Sequence, residues 1–175
     1  LGLGNFKPKT YLSIKDGKIR KIDPQTKQET YYDFIEGTLN SITTPERDYG
    51  KIWEFEILDP KTNDSYALTM SYNSGVAKSI LNCLASIEGT LGAIKIKPYF
   101  INDFNKVTVF NDGVKLNWKY TQLPPIKEIE AGGKTYPDDS ERVNLFEKIA
   151  EELRGEISNK ENKQSATSWD AIFKD

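Results

Sequence analysis

The 175-residue chain contains no histidine, one cysteine (Cys83) and one methionine. Without histidine it lacks the commonest metal ligand and the commonest general base near neutral pH, so a histidine-built zinc site and a His-dependent catalytic triad are excluded. A single Cys cannot form an internal disulfide and fits a reducing, cytoplasmic compartment. As a small apolar side chain it reads more simply as core than as a reactive thiol. No apolar run approaches the roughly 18 residues of a bilayer span, and LGLGNFKPKT at the start lacks the apolar stretch of a signal peptide. The chain does not begin with Met, so an N-terminal piece, and any signal with it, can have been removed. No GxxxxGK[ST] loop is present, and LGLGN has no preceding strand of the kind a dinucleotide fingerprint requires. No cofactor, no metal and no enzymatic activity are expected.

Of the residues that are present, 37% are hydrophobic and 29% charged, enough for one modest core with part of the chain solvated. Charge is unevenly placed. Residues 128–175 hold twelve acidic and seven basic side chains, an excess of five negative charges; with the whole chain at −2, residues 1–127 carry a surplus of three positive ones. A mildly basic body followed by an acidic tail is a sign asymmetry often met in nucleic-acid proteins.

Periodicity divides the chain into an N-terminal extension (1–30), a barrel domain (31–122), a linker (123–139) and a C-terminal helix with an acidic tail (140–175). YLSIKDGKIRKI, from Tyr11, places Asp16-Gly17 between two alternating runs, a hairpin signal because a type I′ turn needs positive φ at both central residues. YYDFIEGTLNSI, Tyr31 to Ile42, reads as a long strand with Gly37 marking a bulge or bend. KIWEFEILDPKTNDSYALTM, Lys51 to Met70, reads as a second hairpin with Trp53, Phe55 and Ile57 on one face and Glu54 and Glu56 on the other. In NSGVAKSILNCLASIEG the period lengthens: Val76, Ile80, Leu81, Leu84 and Ile87 form a helical stripe, with Asn73 or Ser74 as cap and Gly89 as terminator. Strands resume at GAIKIKPYF and in NKVTVFNDGVKLNWKY, a hairpin about Asp112-Gly113 whose second arm alternates Val114, Leu116, Trp118, Tyr120 with Lys115, Asn117, Lys119. TQLPPIKEIEAGGKTYPDDS has paired prolines and glycines and reads as linker. From Ser140 to Gly155 the apolar residues Val143, Phe146, Ile149, Ala150 and Leu153 form one helical stripe that needs a partner.

The expected fold is mainly β: a small five-stranded barrel with one helix between its third and fourth strands, an N-terminal hairpin extension and a C-terminal helix. Over Tyr31 to Tyr120 this order resembles the OB-fold. The whole layout, a basic body and a Pro/Gly linker ahead of an acidic end bearing Trp169, Ile172 and Phe173, is similar to single-stranded DNA-binding proteins, including phage-encoded ones. The resemblance implies coating of single-stranded DNA, with a tail that docks replication or repair partners through Trp169, Ile172 and Phe173 and competes for the basic groove. One such domain covers on the order of 4 to 16 nucleotides, so a homodimer is a natural route to tighter binding.

Single-strand binding needs cations along the phosphates and flat rings for the bases. Lys95, Lys97, Lys115 and Lys119 alternate on two strands expected to be neighbours, and Lys106 and Lys51 extend the set. Tyr31-Tyr32 and Tyr99-Phe100 are adjacent pairs, so one member of each must leave the core; with Tyr49 they are the candidate stacking rings. Glu54 and Glu56 would repel phosphate from their own face. Either the groove runs over the lysines instead, or the Trp53 face is itself partly open and stacks bases. The rival class is a protein-interaction or virion-structural barrel without nucleic acid, in which the stripe from Ser140 to Gly155 packs on another subunit. Chemistry at Glu54 and Glu56 would need environments that separate their pKa values, and exposed neighbours on one strand supply none. Asp138 with Glu161 and Lys163 mimics a nuclease signature by chance, falling in linker and tail.

Overall fold

The computed structural model describes residues 3–4 and 8–172, with the side chains of the final helix described as far as Lys160. Phe173 lies outside the described residues, as do the side chains of Trp169 and Ile172.

Among the described residues twelve strands and two helices follow one another: β1 (Thr10–Lys15), β2 (Lys18–Ile22), β3 (Glu29–Tyr32), β4 (Ile35–Thr43), β5 (Glu46–Arg47), β6 (Gly50–Leu58), β7 (Ser65–Ser71), α1 (Gly75–Ala85), β8 (Ala93–Ile101), β9 (Phe104–Asn111), β10 (Val114–Lys115), β11 (Lys127–Ala131), β12 (Lys134–Asp138) and α2 (Ser140–Ile172). Ten strands form one curled sheet in the order β10-β9-β8-β4-β6-β7-β1-β2-β3, with β5 beside β6. A mainly β fold with a C-terminal helix is thus present, but it is an open half-barrel and not a five-stranded ring. The free edge of β7 is taken by β1, which runs parallel to it, and the free edge of β9 by β10, so those two edges are not left to close on each other.

The curl is held by a clasp. Asp16 and Gly17 both adopt positive φ (50° and 76°) in the β1–β2 turn, and the Gly17 amide donates to Asn105 Oδ1 at 2.8 Å. A Cβ at Gly17 would come within 2.8 Å of the Phe100 amide nitrogen, so only glycine lets the N-terminal hairpin reach the β8–β9 hairpin. Gly37 has a similar use in β4: an added Cβ would collide with the Leu58 carbonyl oxygen. The bulge falls further along β4, where the register against β6 shifts between Leu39 and Ser41.

Trp53, Phe55 and Ile57 of β6, Leu68 of β7, Ile80, Leu81 and Leu84 of α1 and Ile94 and Ile96 of β8 form the core. Ser74 caps α1 by accepting from the Ala77 amide. Cys83 is buried among these residues, and burial pushes its thiol pKa up. The second helix belongs to the same core. Phe146, Ile149, Ala150, Leu153 and Ile157 are all buried, following the helical period two residues beyond Gly155. Arg154 Nε donates to the Ile42 carbonyl at 2.6 Å and Lys160 Nζ to the Leu91 carbonyl at 2.7 Å, pinning the helix to the sheet. The stripe that needs a partner therefore finds it within its own chain.

Residues 123–139 are not featureless. Lys127–Ala131 and Lys134–Asp138 pair as a hairpin across Gly132-Gly133, both at positive φ. The extended second arm expected after Asp112-Gly113 stops at Lys115, and Trp118 leaves the sheet to stand 49% exposed.

Candidate nucleic-acid interface

Asn102 and Asp103, at φ 50° and 63°, turn β8 directly into β9 and so fix which residues face each other. On the outward face Lys95 lies opposite Phe110, Lys97 opposite Thr108, Tyr99 opposite Lys106 and Ile101 opposite Phe104. Phe110 is also opposite Lys115 of β10, and Lys95 is opposite Glu36 of β4. One row across four strands therefore reads Glu36, Lys95, Phe110, Lys115. Ile94 and Ile96, alternating with the lysines, point into the core. The result is a face on which cations and rings interleave. Lys95 Nζ stands 4.2 Å from the centroid of Phe34 and 5.6 Å from that of Phe110. Such contacts hold the ammonium over apolar surface without neutralising it. Among the described residues none of Lys95, Lys97, Lys106 and Lys115 makes an ion pair. Glu36 and Asp33 border the face; the Lys18 ammonium, and to a lesser degree Lys97, hold the Asp33 carboxyl below its ordinary pKa.

Four of the six lysines singled out in the sequence thus come together with Tyr99. The others do not. Lys119 sits beyond the end of β10, its amide donating to the Asn82 carbonyl and its ammonium over the Tyr120 ring. Lys51 lies over the Tyr72 ring at 4.6 Å and 3.9 Å from Glu147 of α2. Tyr72 itself donates to Glu147, and burial followed by that carboxylate raises its pKa. Trp53 is 2% exposed, donates its indole N–H to the Tyr72 carbonyl and stacks on the Tyr72 ring, so it has no face for a base; the strand turns it inward with Phe55 and Ile57. Tyr49 is well exposed in the loop before β6, away from the lysine rows. Tyr31 and Tyr32 are half-exposed on β3; Tyr31 donates to Glu29, and Tyr32 lines a cavity of about 240 Å³ with Phe34, Leu12 and Ile19. Phe100 is half-exposed where the N-terminal hairpin clasps β8.

The rings that flank Lys95, Phe34 and Phe110, were not singled out in the sequence. Taking Asn102-Asp103 as a two-residue turn would have paired Phe110 with Lys95; Phe34 is placed by the β4–β8 pairing, which no local signal encodes.

The face formed by β4, β6 and β7 is different in kind. Glu54 is 5% exposed, with Lys9 at 3.4 Å and Arg47 at 3.5 Å. Glu56 is 2.7 Å from Lys9 and accepts from Asn40, Ser41 and Ser65. Burial alone would raise the Glu56 carboxyl, but the Lys9 ammonium and the Asn40 and Ser65 donors offset it and hold the pKa below the ordinary value. These carboxylates lie enclosed with cations and do not stand as a free phosphate-repelling surface. Among the described residues no cluster of acidic and thiol side chains could hold a metal ion, and no helix is long and apolar enough to cross a membrane. Comparison with protein-family models, with curated proteins and with solved structures found no match.

Proposed function

We propose that this chain binds single-stranded DNA, without catalysing a reaction, across the outward face of β8, β9 and β10. One observation carries the proposal: Lys95 and Lys115 stand in cross-strand register with Phe110 and Lys106 with Tyr99, with Lys97 on the same face, a pattern that supplies phosphate contacts and stacking platforms together. The spatial order β9-β8-β4-β6-β7, with α1 following β7, supports an OB-like ancestry, because an OB-fold uses that strand order and that helix position. Its usual ligand strands correspond to β6 and β7, where Glu54 and Glu56 are enclosed, so the binding face is shifted to the last two strands of the barrel and β10. The acidic end of the chain, Trp169, Ile172 and Phe173 included, is proposed to dock replication or repair proteins.

Anisotropy of a labelled oligo-dT of about 30 nucleotides, titrated with the full chain at two salt concentrations beside a matched duplex, tests the proposal. Tight binding to the single strand, weak binding to the duplex and a linear fall of log K with log salt are expected. Equal affinity for duplex, or no binding at low salt, would reject it. A protein-interaction role has one specific observation of its own: Ile129 and Tyr136 face each other on the β11–β12 hairpin, both half-exposed. In that case Ile129→Asp would abolish a self-association visible by light scattering while leaving DNA irrelevant.

A further inference from the structure

We infer that a groove between α1 and the start of β9 seats one unstacked nucleobase with its adjoining phosphate, where the bound strand leaves the lysine face; the inference rests on single-strand binding. The groove encloses about 410 Å³, within the range of roughly 300 to 1,000 Å³ usual for ligand sites. Phe104 and Trp118 both line it, and they stand 66% and 49% exposed, although rings of this size are normally withdrawn from water. Val76, Leu123 and the buried Phe146 add apolar wall and floor, and Lys78 and Lys106 supply charge. Among the described residues, none that lines the groove is acidic. Gly75 and Val76 bring the first turn of α1 to the same groove, and that turn has no acidic residue, so the partial positive charge of the helix start adds to the two ammonium groups.

Continuity with the lysine face decides between occupants. Phe104 and Lys106 belong to both: they end the outward series Phe110, Thr108, Lys106, Phe104 on β9 and they line the groove. A strand whose phosphates follow Lys95, Lys115 and Lys106 therefore reaches Phe104 and has the Trp118 ring beyond it. A flat ring attached to an anion matches two rings and two cations in one groove. An acidic aromatic peptide shares that charge but gives no reason for the groove to continue the row of β9.

The test uses the full chain, a dT 15-mer, an abasic deoxyribose-phosphate 15-mer, and an acidic peptide containing one Trp-free aromatic residue. Intrinsic fluorescence of wild type and of Trp118→Phe isolates the Trp118 signal. Quenching of Trp118 by dT and not by the abasic strand is expected. Phe104→Ala and Trp118→Ala should weaken dT roughly tenfold and leave the abasic strand unchanged. Gly75→Asp keeps the fold in view: an added Cβ meets open space there and a carboxylate suits a helix start, so Tm should hold or rise while dT binds severalfold more weakly. If dT binds in a manner that depends on Lys95 and Lys115, but Trp118 is not quenched and the Phe104 and Trp118 variants bind normally, the seat is overturned and single-strand binding stands. If no oligonucleotide binds, both fall. If the peptide quenches Trp118 and dT does not, the groove is a peptide site and the inference is overturned.

Discussion

Two outward faces of one sheet carry charge of opposite sign and treat it in opposite ways. Over β4, β6 and β7 the carboxylates of Glu54 and Glu56 are enclosed with Lys9 and Arg47, and Glu56 also with amide and hydroxyl donors. Over β8, β9 and β10 the ammonium groups of Lys95, Lys97, Lys106 and Lys115 lie beside rings and, among the described residues, pair with no carboxylate. Charge taken out of water must be matched in place, because its desolvation costs more than a screened attraction returns. Charge left wet beside aromatic surface is available to a ligand. Net charge alone does not separate the two cases; the difference lies in which side chains the strand register sets opposite each other.

Reversing one charge on each face breaks the comparison most directly. Glu54→Lys would set a third cation among Lys9 and Arg47, with only Glu56 to balance them, and should cost about 2–4 kcal/mol of stability in urea unfolding. Lys106→Glu should cost about 1 kcal/mol or less, since the side chain is exposed and the residue opposite it on β8 is Tyr99, not a carboxylate. Similar losses for the two variants would show that the faces are not energetically distinct.

The next effect is smaller and concerns affinity. Replacing both Lys95 and Lys115 by Ala removes two cations from one cross-strand row, and the oligo-dT affinity should fall about tenfold at low salt. The slope of log K against log salt should become shallower by about 1.4, from roughly 0.7 per phosphate contact on a single strand. Lys51→Ala serves as control, because its ammonium is engaged with Tyr72 and Glu147; no change in slope is expected. An equal change of slope in the control would mean that bulk charge, and not the β8–β9–β10 face, governs binding.

Local chemistry made a good part of this fold legible. Asp16-Gly17 and Asp112-Gly113 are turns with positive φ at both positions, and α1 begins at the Ser74 cap. The inward placing of Trp53 with Phe55 and Ile57 follows from strand alternation, and Lys95 and Lys97 follow from the same rule. Non-local pairing was not legible. The parallel contact of β1 with β7, which replaces ring closure, joins segments over fifty residues apart, and nothing in either segment names the other. The helix α2 returns to the core by packing its apolar stripe against α1 and β4, a pairing that no local pattern encodes. Alternation places Lys119 on the face of Lys115 only if the strand runs on past Lys115, which it does not.

Proton linkage sharpens the comparison at the scale of its smallest effect. The Glu56 carboxyl is held below its ordinary 4.5, so its contribution to stability is present above that value and is lost as the pH falls through its folded pKa. Lys9 is held above its ordinary 10.5, chiefly by its hydrogen bond to Glu56, so its contribution is present below 10.5 and is lost as the pH rises past its folded pKa. Acid therefore loosens the face of β4, β6 and β7 at the Lys9–Glu56 contact. Lys9→Met should flatten the dependence of stability on pH below about pH 5, because Glu56 then titrates closer to its unfolded value. The chain has no histidine, the side chain whose ordinary pKa puts a change of charge between about pH 5 and pH 8. Oligo-dT affinity at fixed salt should thus be level from pH 8 down to pH 6 in wild type and Lys9→Met alike. A rise in affinity toward pH 6 would tie DNA binding to a carboxylate whose charge repels the strand, and the lysine face alone would no longer account for it.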